Sequence, residues 1–253
     1  MVGDFGVGGD DEAAVASRIK TWTASRPFDA FVTVGDNVYG EGEPDDFPAA
    51  WRKPFGWVTQ AGIPIVASLG NHDVETEGGT PVMRLLGMPG RWYQREVGPV
   101  ALFVLDANDP ANEAQLKWLR GALARSAARW KVAVFHQPAY SCGTHGSSPE
   151  VQREWVRLFQ RSGVDLVLNG HDHDYQRFAP IGGVTYVVTG GGAELYEVGD
   201  CPAGTPRPAA FNDDVHQFLY VSATGNELQG RAVSAAGQVL DSFELTRPEP
   251  PDT

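Results

Sequence analysis

Short apolar runs alternate along most of this chain with longer stretches in which apolar residues recur at helical spacing. Residues 30–34 and 64–69 have the length and composition of buried strands, whereas residues 112–129 repeat apolar side chains every three or four positions. This alternation predicts an α/β protein in which helices pack on sheets. After residue 175 strands dominate and a more antiparallel sheet is expected, with strands at 184–189, 216–223, 228–234 and 239–245.

The chain is long enough for one large α/β domain. Its 253 residues are 42% hydrophobic, and neither a repeat nor an internal linker interrupts them. Residues 1–246 are therefore predicted to form a single domain, and residues 247–253, rich in Pro and Glu, a disordered tail. Only three residues precede Asp4, which lies in a strand-end motif, so the first strand is expected to be unusually short or truncated.

Net charge and hydropathy limit the classes of partner. With 20 Lys and Arg against 32 Asp and Glu, the chain carries a formal charge of −12, which repels nucleic acid. The longest apolar run, at residues 100–105, is far shorter than the roughly 20 residues of a membrane-spanning helix. Neither nucleic acid nor a membrane is expected as a partner, and the oligomeric state stays open. A small phosphorylated substrate is compatible with this charge if metal ions reverse its sign locally.

The two cysteines, Cys142 and Cys201, are too few and too far apart for a zinc site. They are either a pair or two inert thiols, and a disulfide is favoured because both lie in loop sequence rich in Gly, Pro and Ser. Such a bond closes a loop of about 60 residues, for which the chain-entropy model gives about 4 kcal/mol. It would also indicate an oxidising compartment.

Polar clusters follow five of the predicted strands directly at their carboxyl ends. In α/β sheets these ends converge in one crevice where ligands bind, so the clusters predict a single site. Its Asp, Asn, His and Tyr side chains, without a Ser/His/Asp triad or a reactive cysteine, indicate a binuclear metal centre. The clusters are GDFG at 3–6, GDNVY at 35–39, GNHD at 70–73, HQP at 136–138 and GHDH at 170–173.

Each cluster taken alone has a simpler interpretation. The triplet at residues 4–6 has the letters of the kinase activation motif, but no chain precedes it to supply the other kinase motifs. The glycines at residues 6–9 do not complete a dinucleotide-binding spacing, and Asp10 and Asp11 would face the pyrophosphate. The chemical interpretation therefore depends on the five clusters occurring together and in order.

That ordered set resembles the calcineurin-like metallophosphoesterase superfamily, and within it the purple acid phosphatase branch, with the motifs GDxG, GDxxY, GNH(D/E), VxxH and GHxH. Four of the five motifs match directly. The remaining one, VxxH, differs only in having Ala133 instead of Val three residues before His136. The resemblance spans residues 3 to about 190. It implies a four-layer α/β/β/α sandwich of two mixed β-sheets flanked by helices.

The resemblance also implies the metal ligands. Asp36 would bridge two ions, and Gly6 stands where other branches carry a ligand histidine, so Tyr39 would take that place. A phenolate favours a trivalent ion, which implies Fe(III) paired with divalent Fe, Zn or Mn. The two sets of further ligands would be Asp4, Tyr39 and His173 for the first ion, and Asn71, His136 and His171 for the second.

The implied activity is hydrolysis of a phosphomonoester by in-line attack of a metal-bound hydroxide on phosphorus. Asn71, His72 and His145 are the candidate substrate-binding residues; His72 and His145 would act in catalysis, and Asp73 would orient the ring of His72. Two alternatives stay open, a phosphodiesterase or cyclic-nucleotide phosphodiesterase of the same fold and a non-catalytic, metal-stabilised phosphate-binding scaffold. Members of the branch are commonly exported, so an extracytoplasmic location is expected if the native N-terminus carries a signal peptide.

Overall fold

The computed structural model of the chain describes residues 1–248, so most of the predicted tail at 247–253 lies outside the described residues. The strands are β1 (Phe31–Val34), β2 (Ile65–Ser68), β3 (Tyr93–Val97), β4 (Val100–Val104), β5 (Trp130–Val134), β6 (Leu166–Asn169), β7 (Tyr175–Arg177), β8 (Thr185–Thr189), β9 (Ala210–Asn212), β10 (Gln217–Ala223), β11 (Glu227–Ser234) and β12 (Val239–Thr246). The α-helices are α1 (Asp10–Thr23), α2 (Lys53–Gln60), α3 (Thr80–Leu86), α4 (Glu113–Arg125), α5 (Pro149–Val151) and α6 (Arg157–Ser162).

Two helical segments contain a wider turn. A π-helical turn, Pro48–Arg52, directly precedes α2, and another such turn, Gln152–Val156, joins α5 to α6. The third helix, α3, was not predicted, because its seven residues are too few for a clear helical pattern. It directly follows two glycines, Gly78 and Gly79, which both have positive φ. Within residues 1–248, no helix is long and apolar enough to cross a membrane.

Seven strands form the larger sheet in the order β3-β4-β5-β6-β8-β7-β9. The central strands β4, β5, β6 and β8 run parallel, and β3, β7 and β9 are antiparallel to their neighbours. Helix α4 connects β4 to β5, and α5 and α6 connect β5 to β6, whereas the chain between β6 and β8 passes through the strand β7. The carboxyl ends of the parallel strands therefore lie along one edge of the sheet.

The second sheet consists of two parts that the first two residues join. Strands β1 and β2 are parallel, and β10, β11 and β12 form an antiparallel meander. The backbone N–H of Val2 donates to Val32, and the N–H of Leu219 donates to the carbonyl of Met1. Residues 1–2 therefore lie between β1 and β10 and run parallel to β1 toward Asp4.

Alternating residues of the strands pack into three apolar layers. On β1, Val32 and Val34 face the other sheet, whereas Phe31 packs against α1 and α2. On β5, Val132 and Val134 enter the layer between the sheets, whereas Ala133 packs toward α4 and α6. The order helix, sheet, sheet, helix confirms the four-layer fold class expected from the sequence.

We expect the helix layer beside β5 to contribute strongly to stability. Trp155 is fully buried, its ring lies edge-on to Phe135 at 4.9 Å between centroids, and its Nε1–H donates to the carbonyl of Pro110. Trp155→Ala should lower the free energy of unfolding by roughly 3–5 kcal/mol, because it leaves a cavity and an unpaired carbonyl. The control, Phe211→Ala on the edge strand β9, removes a ring that is 57% exposed and should cost at most about 0.5 kcal/mol. Urea denaturation measures both, and equal losses would contradict this packing.

Candidate metal centre

The five polar clusters meet where the strands of both sheets end. Residues 1–2, β1, β2, β5 and β6 each lead directly into one cluster. Three side chains of the clusters project from left-handed backbone, since φ is 56° at Asp4, 48° at Asp36 and 73° at His171. Residues other than glycine seldom adopt such angles, and those that do are concentrated at functional sites.

One group of donors surrounds the hydroxyl of Tyr39. This hydroxyl lies 2.9 Å from Nε2 of His173 and 3.5 Å from Oδ1 of Asp4. The same nitrogen of His173 is 3.6 Å from Oδ1 of Asp4. A phenol, an imidazole and a carboxylate therefore point toward a common centre.

A second group surrounds Nε2 of His136. This nitrogen lies 3.2 Å from Oδ1 of Asn71 and 3.2 Å from Oδ2 of Asp36. The Nδ1–H of His136 donates to the carbonyl of Val34 at 2.9 Å, which holds the ring in one orientation. The ring centroid of His171 lies 5.0 Å from that of His136. The donors are thus an amide oxygen, two imidazoles and a carboxylate.

Asp36 is placed so that it can serve both groups. Single donor atoms of Asp4, Asp36 and His136 lie within 4.8 Å of one another, so the carboxylate of Asp36 lies beside members of both groups. Its other oxygen, Oδ1, accepts the backbone N–H of His72 at 3.1 Å. The structure therefore brings together all seven candidate ligands predicted from the sequence.

The electrostatics of the centre favour a cation. Burial raises the pKa of Asp4 well above its usual range. At Asp36 burial acts in the same direction, but the charge of His136 and its hydrogen bond outweigh it and lower the pKa to about 2. Among residues 1–248, no Lys or Arg side chain forms an ion pair with either carboxylate. The two buried carboxylates have no such partner, and they face imidazole nitrogens and a phenol oxygen. This set of donors fits a site for metal ions.

The pKa values of two of the three proposed histidine ligands suit metal ligation. At the third, His136, burial lowers the pKa, but the charges of Asp36 and Asp4 outweigh burial and raise it to about 10, so a metal ion would have to displace its proton. Burial, together with the charge of nearby histidines, lowers the pKa of His171 to about 3. Burial likewise lowers the pKa of His173 to about 4. Both imidazoles are therefore neutral near pH 7 and have a lone pair available for a metal ion. At Tyr39, burial and the charge of Asp4 raise the pKa, so the phenolate needs a cation to form.

Asp73 does not take the role expected of it. It was expected to orient the ring of His72, but it is fully buried and accepts the backbone N–H groups of Asn37, Val38 and Gly70. It lies in a short 3-10 turn, His72–Val74, which directs neighbouring side chains apart. The ring of His72 instead contacts the carbonyl of Gly40, with Nδ1 at 3.0 Å. Asp73 therefore fixes the loops beneath the site.

His145, the second candidate for substrate contact, lies beside the centre. Its exposed ring stacks on that of His171 at 4.4 Å between centroids. The disulfide between Cys142 and Cys201 joins its loop to the segment at residues 193–201. The sequence had favoured this pairing over two free thiols.

Two residues near the centre were missed by sequence reasoning. The ring of Tyr196 stacks on His173 at 4.3 Å with nearly parallel planes, and its hydroxyl donates to Glu194. An oxygen of Glu194 lies 3.6 Å from Nδ1 of His173. Both residues lie in a long connection between β8 and β9 that has no periodic pattern, so no sequence signal indicated that it folds back over His173.

These donors, gathered where the strands of a four-layer sandwich end, define a protein of the metallophosphoesterase type. A model of the calcineurin-like phosphoesterase family matches residues 2–175, and the chain belongs to that family. This membership confirms the superfamily expected from the five motifs.

Relatives of the chain include proteins named acid phosphatases. Purple acid phosphatase 3 of Arabidopsis thaliana is 24% identical, over 98% of this chain and 77% of its own length. Tartrate-resistant acid phosphatase type 5 of Sus scrofa is 24% identical, over 92% of this chain and 79% of its own. A purple acid phosphatase from yellow lupin (Lupinus luteus) seeds superimposes with a TM-score of 0.83 at 20% identity, over 97% of this chain and 53% of that one, and this likeness concerns the fold. The predicted class of enzyme, a metal-dependent phosphatase, agrees with the family and with these names.

Close backbone packing around Asp36 gives a prediction that does not depend on the identity of the metal. A methyl group at Gly70 would overlap Oδ1 and the backbone nitrogen of Asp36. Gly70→Ala should therefore displace this carboxylate, lower the free energy of unfolding by about 1–3 kcal/mol and reduce metal content. Gly225 has open space around it, so Gly225→Ala should change neither. Denaturation and elemental analysis decide this, and normal metal content in Gly70→Ala would contradict the placement of Asp36.

Proposed function

We propose that the protein is a phosphomonoester hydrolase of the purple acid phosphatase type that uses two metal ions. The observation that carries this proposal is the position of the Tyr39 hydroxyl, 2.9 Å from Nε2 of His173 and 3.5 Å from Asp4. The adjacent Gly6 has no side chain to offer, so the phenol is the donor that completes this group. A phosphoesterase with a tyrosine at this position fits the purple branch of the family.

We propose that Asp36 bridges the two ions, with Asp4, Tyr39 and His173 on the first and Asn71, His136 and His171 on the second. A phenolate is a hard anionic donor, which favours Fe(III) for the first ion and leaves divalent Fe, Zn or Mn for the second. When bound, such ions would activate water for in-line attack on phosphorus and offset the charge of the phosphoryl group.

The protein would supply the groups that bind the phosphoryl oxygens and protonate the leaving group. The Nδ1–H of His72 donates to the carbonyl of Gly40, so Nε2 would face the substrate and would donate to it when the ring carries a second proton. Oδ1 of Asn71 faces His136, which leaves its amide N–H groups for a phosphoryl oxygen. His145 would bind from the opposite side, above His171.

The substrate would be a small phosphorylated molecule rather than a nucleic acid or a membrane lipid. Three anionic donors against a trivalent and a divalent ion leave a local charge of about +2, which attracts phosphate despite the charge of −12 on the whole chain. The disulfide between Cys142 and Cys201 supports an oxidising compartment.

Comparing turnover of an aryl phosphomonoester with that of a bis-aryl diester tests the proposal, and faster hydrolysis of the diester would overturn it in favour of a phosphodiesterase.

Replacement of the bridging carboxylate should affect both ions. Asp36→Asn should abolish hydrolysis and lower the content of both metals, because an amide cannot bridge two cations as an anion does. Asp45→Asn, which changes an exposed carboxylate, is the control and should retain activity and metal. Elemental analysis and initial rates are the measurements. Full metal content with more than about a tenth of the rate would contradict the bridging role.

Colour tests the tyrosine directly. If Tyr39 binds Fe(III), the oxidised protein should be pink to purple, because charge transfer from a phenolate needs a reducible ion beside it. Tyr39→Phe should remove the visible band while leaving the fold intact, since only the donor oxygen is lost. Tyr140→Phe, outside the centre, should leave the band unchanged. An oxidised, iron-containing protein without colour would exclude Tyr39 as a ligand.

A further inference from the structure

Residues 171–174 carry two of the proposed ligands on one side and two buried carboxyl groups on the other. His171 and His173 face the metal centre, whereas the intervening and following residues, Asp172 and Asp174, point away from it and are fully buried. The two carboxylates face the loop at residues 141–146, because a methyl group at Gly143 would overlap Asp172 and Asp174. The loop that carries His145 is therefore packed directly on these buried carboxylates.

Asp172 uses both of its oxygens to hold this loop. Oδ1 accepts the backbone N–H of His145 at 2.6 Å, and Oδ2 accepts the hydroxyl of Ser141. The Ser141 oxygen in turn accepts the backbone N–H of Gly143 at 3.0 Å and an N–H of Gln176 at 2.8 Å. Asp172 therefore attaches the loop directly at His145 and also through the hydroxyl of Ser141.

The attachment determines where the imidazole of His145 lies. Its ring is exposed, stacks on that of His171 at 4.4 Å between centroids, and lies edge-on to His173 at 6.3 Å and to Tyr196 at 6.1 Å. Asp172 is bonded covalently to His171 and by a hydrogen bond to His145. One carboxylate thus fixes the distance between a proposed ligand and a proposed substrate-binding residue.

We propose that Asp172 is a positioning residue, which holds His145 where its imidazole can bind the phosphoryl group or the leaving group of the substrate. The proposal rests on the proposed function for the role of His145. Asp172 itself touches neither the substrate nor the ions. Its contribution to the rate is made through the loop, because small displacements of a substrate-binding group are costly in catalysis.

Asp172→Asn is an informative substitution because it keeps the size of the side chain. The oxygen of Ser141 already accepts two hydrogen bonds and donates its own proton, so it offers no lone pair to an amide N–H. If the asparagine side chain is rotated the other way, its amide N–H points at the backbone N–H of His145, and two donors cannot form a hydrogen bond with each other. In either orientation one of the two hydrogen bonds is lost.

Asp174→Asn is the matched control. Asp174 is also fully buried and follows the ligand His173. Among residues 1–248, however, its side chain accepts only from Gln176 and makes no hydrogen bond to residues 141–146. An asparagine there can still accept from Gln176. Any general effect of replacing a buried carboxyl group beside the centre would appear in this control as well.

The test is a double-mutant cycle with His145→Ala, using an aryl phosphomonoester and protein of measured metal content. Asp172→Asn should lower kcat/KM by about tenfold in the native background and by no more than about twofold in the His145→Ala background. Metal content should be unchanged in all four proteins, and Asp174→Asn should stay within about twofold of the native rate. A loss of metal in Asp172→Asn, or an equal loss of rate in both backgrounds, would overturn the proposal.

Amide hydrogen exchange gives a readout that needs no activity. The backbone N–H groups of Gly143 and His145 should exchange about tenfold faster or more in Asp172→Asn, and at the native rate in Asp174→Asn. Equal exchange in the two variants would overturn the role of Asp172. If the native protein hydrolysed no phosphomonoester, the proposed function would fail, whereas the exchange comparison would still show whether Asp172 holds the loop.

Discussion

Two buried carboxylates, Asp4 and Asp36, impose the main physical constraint on this structure. They are 0% and 2% exposed, they lie beside each other, and burial disfavours their charged forms. The surrounding chain is arranged to satisfy them: the backbone N–H of His171 donates to Asp4, that of His72 donates to Asp36, and His136 lies against both. Such an arrangement is stable only with compensating positive charge, which is why the centre is suited to metal ions.

Most of the site could be predicted from the sequence because of where its residues stand relative to the strands. Asp36, His136 and His171 each follow an apolar run within three residues, and the carboxyl ends of parallel strands meet at one edge. A position next to a recognisable strand was therefore sufficient to predict proximity among residues that are up to 135 positions apart.

The parts that could not be predicted depend on how irregular segments fold. Asp73 adjoins His72 in sequence, yet a single 3-10 turn directs it to the opposite side, toward Asn37. Tyr196 reaches His173 only because the connection after β8 folds back over the centre. Neither hydrophobic periodicity nor motif spacing contains this information, since both contacts are determined by local dihedral angles rather than by an element of regular structure.

The left-handed backbone at Asp4, Asp36 and His171 has a consequence for how this protein balances folding against chemistry. A residue with a Cβ is disfavoured in that conformation by about 1–2 kcal/mol, and glycine is not. Glycine at any of the three positions would relax the backbone but remove a donor atom. Selection for thermostability alone would thus tend to erase these side chains, and their presence marks positions where stability is given up for the site.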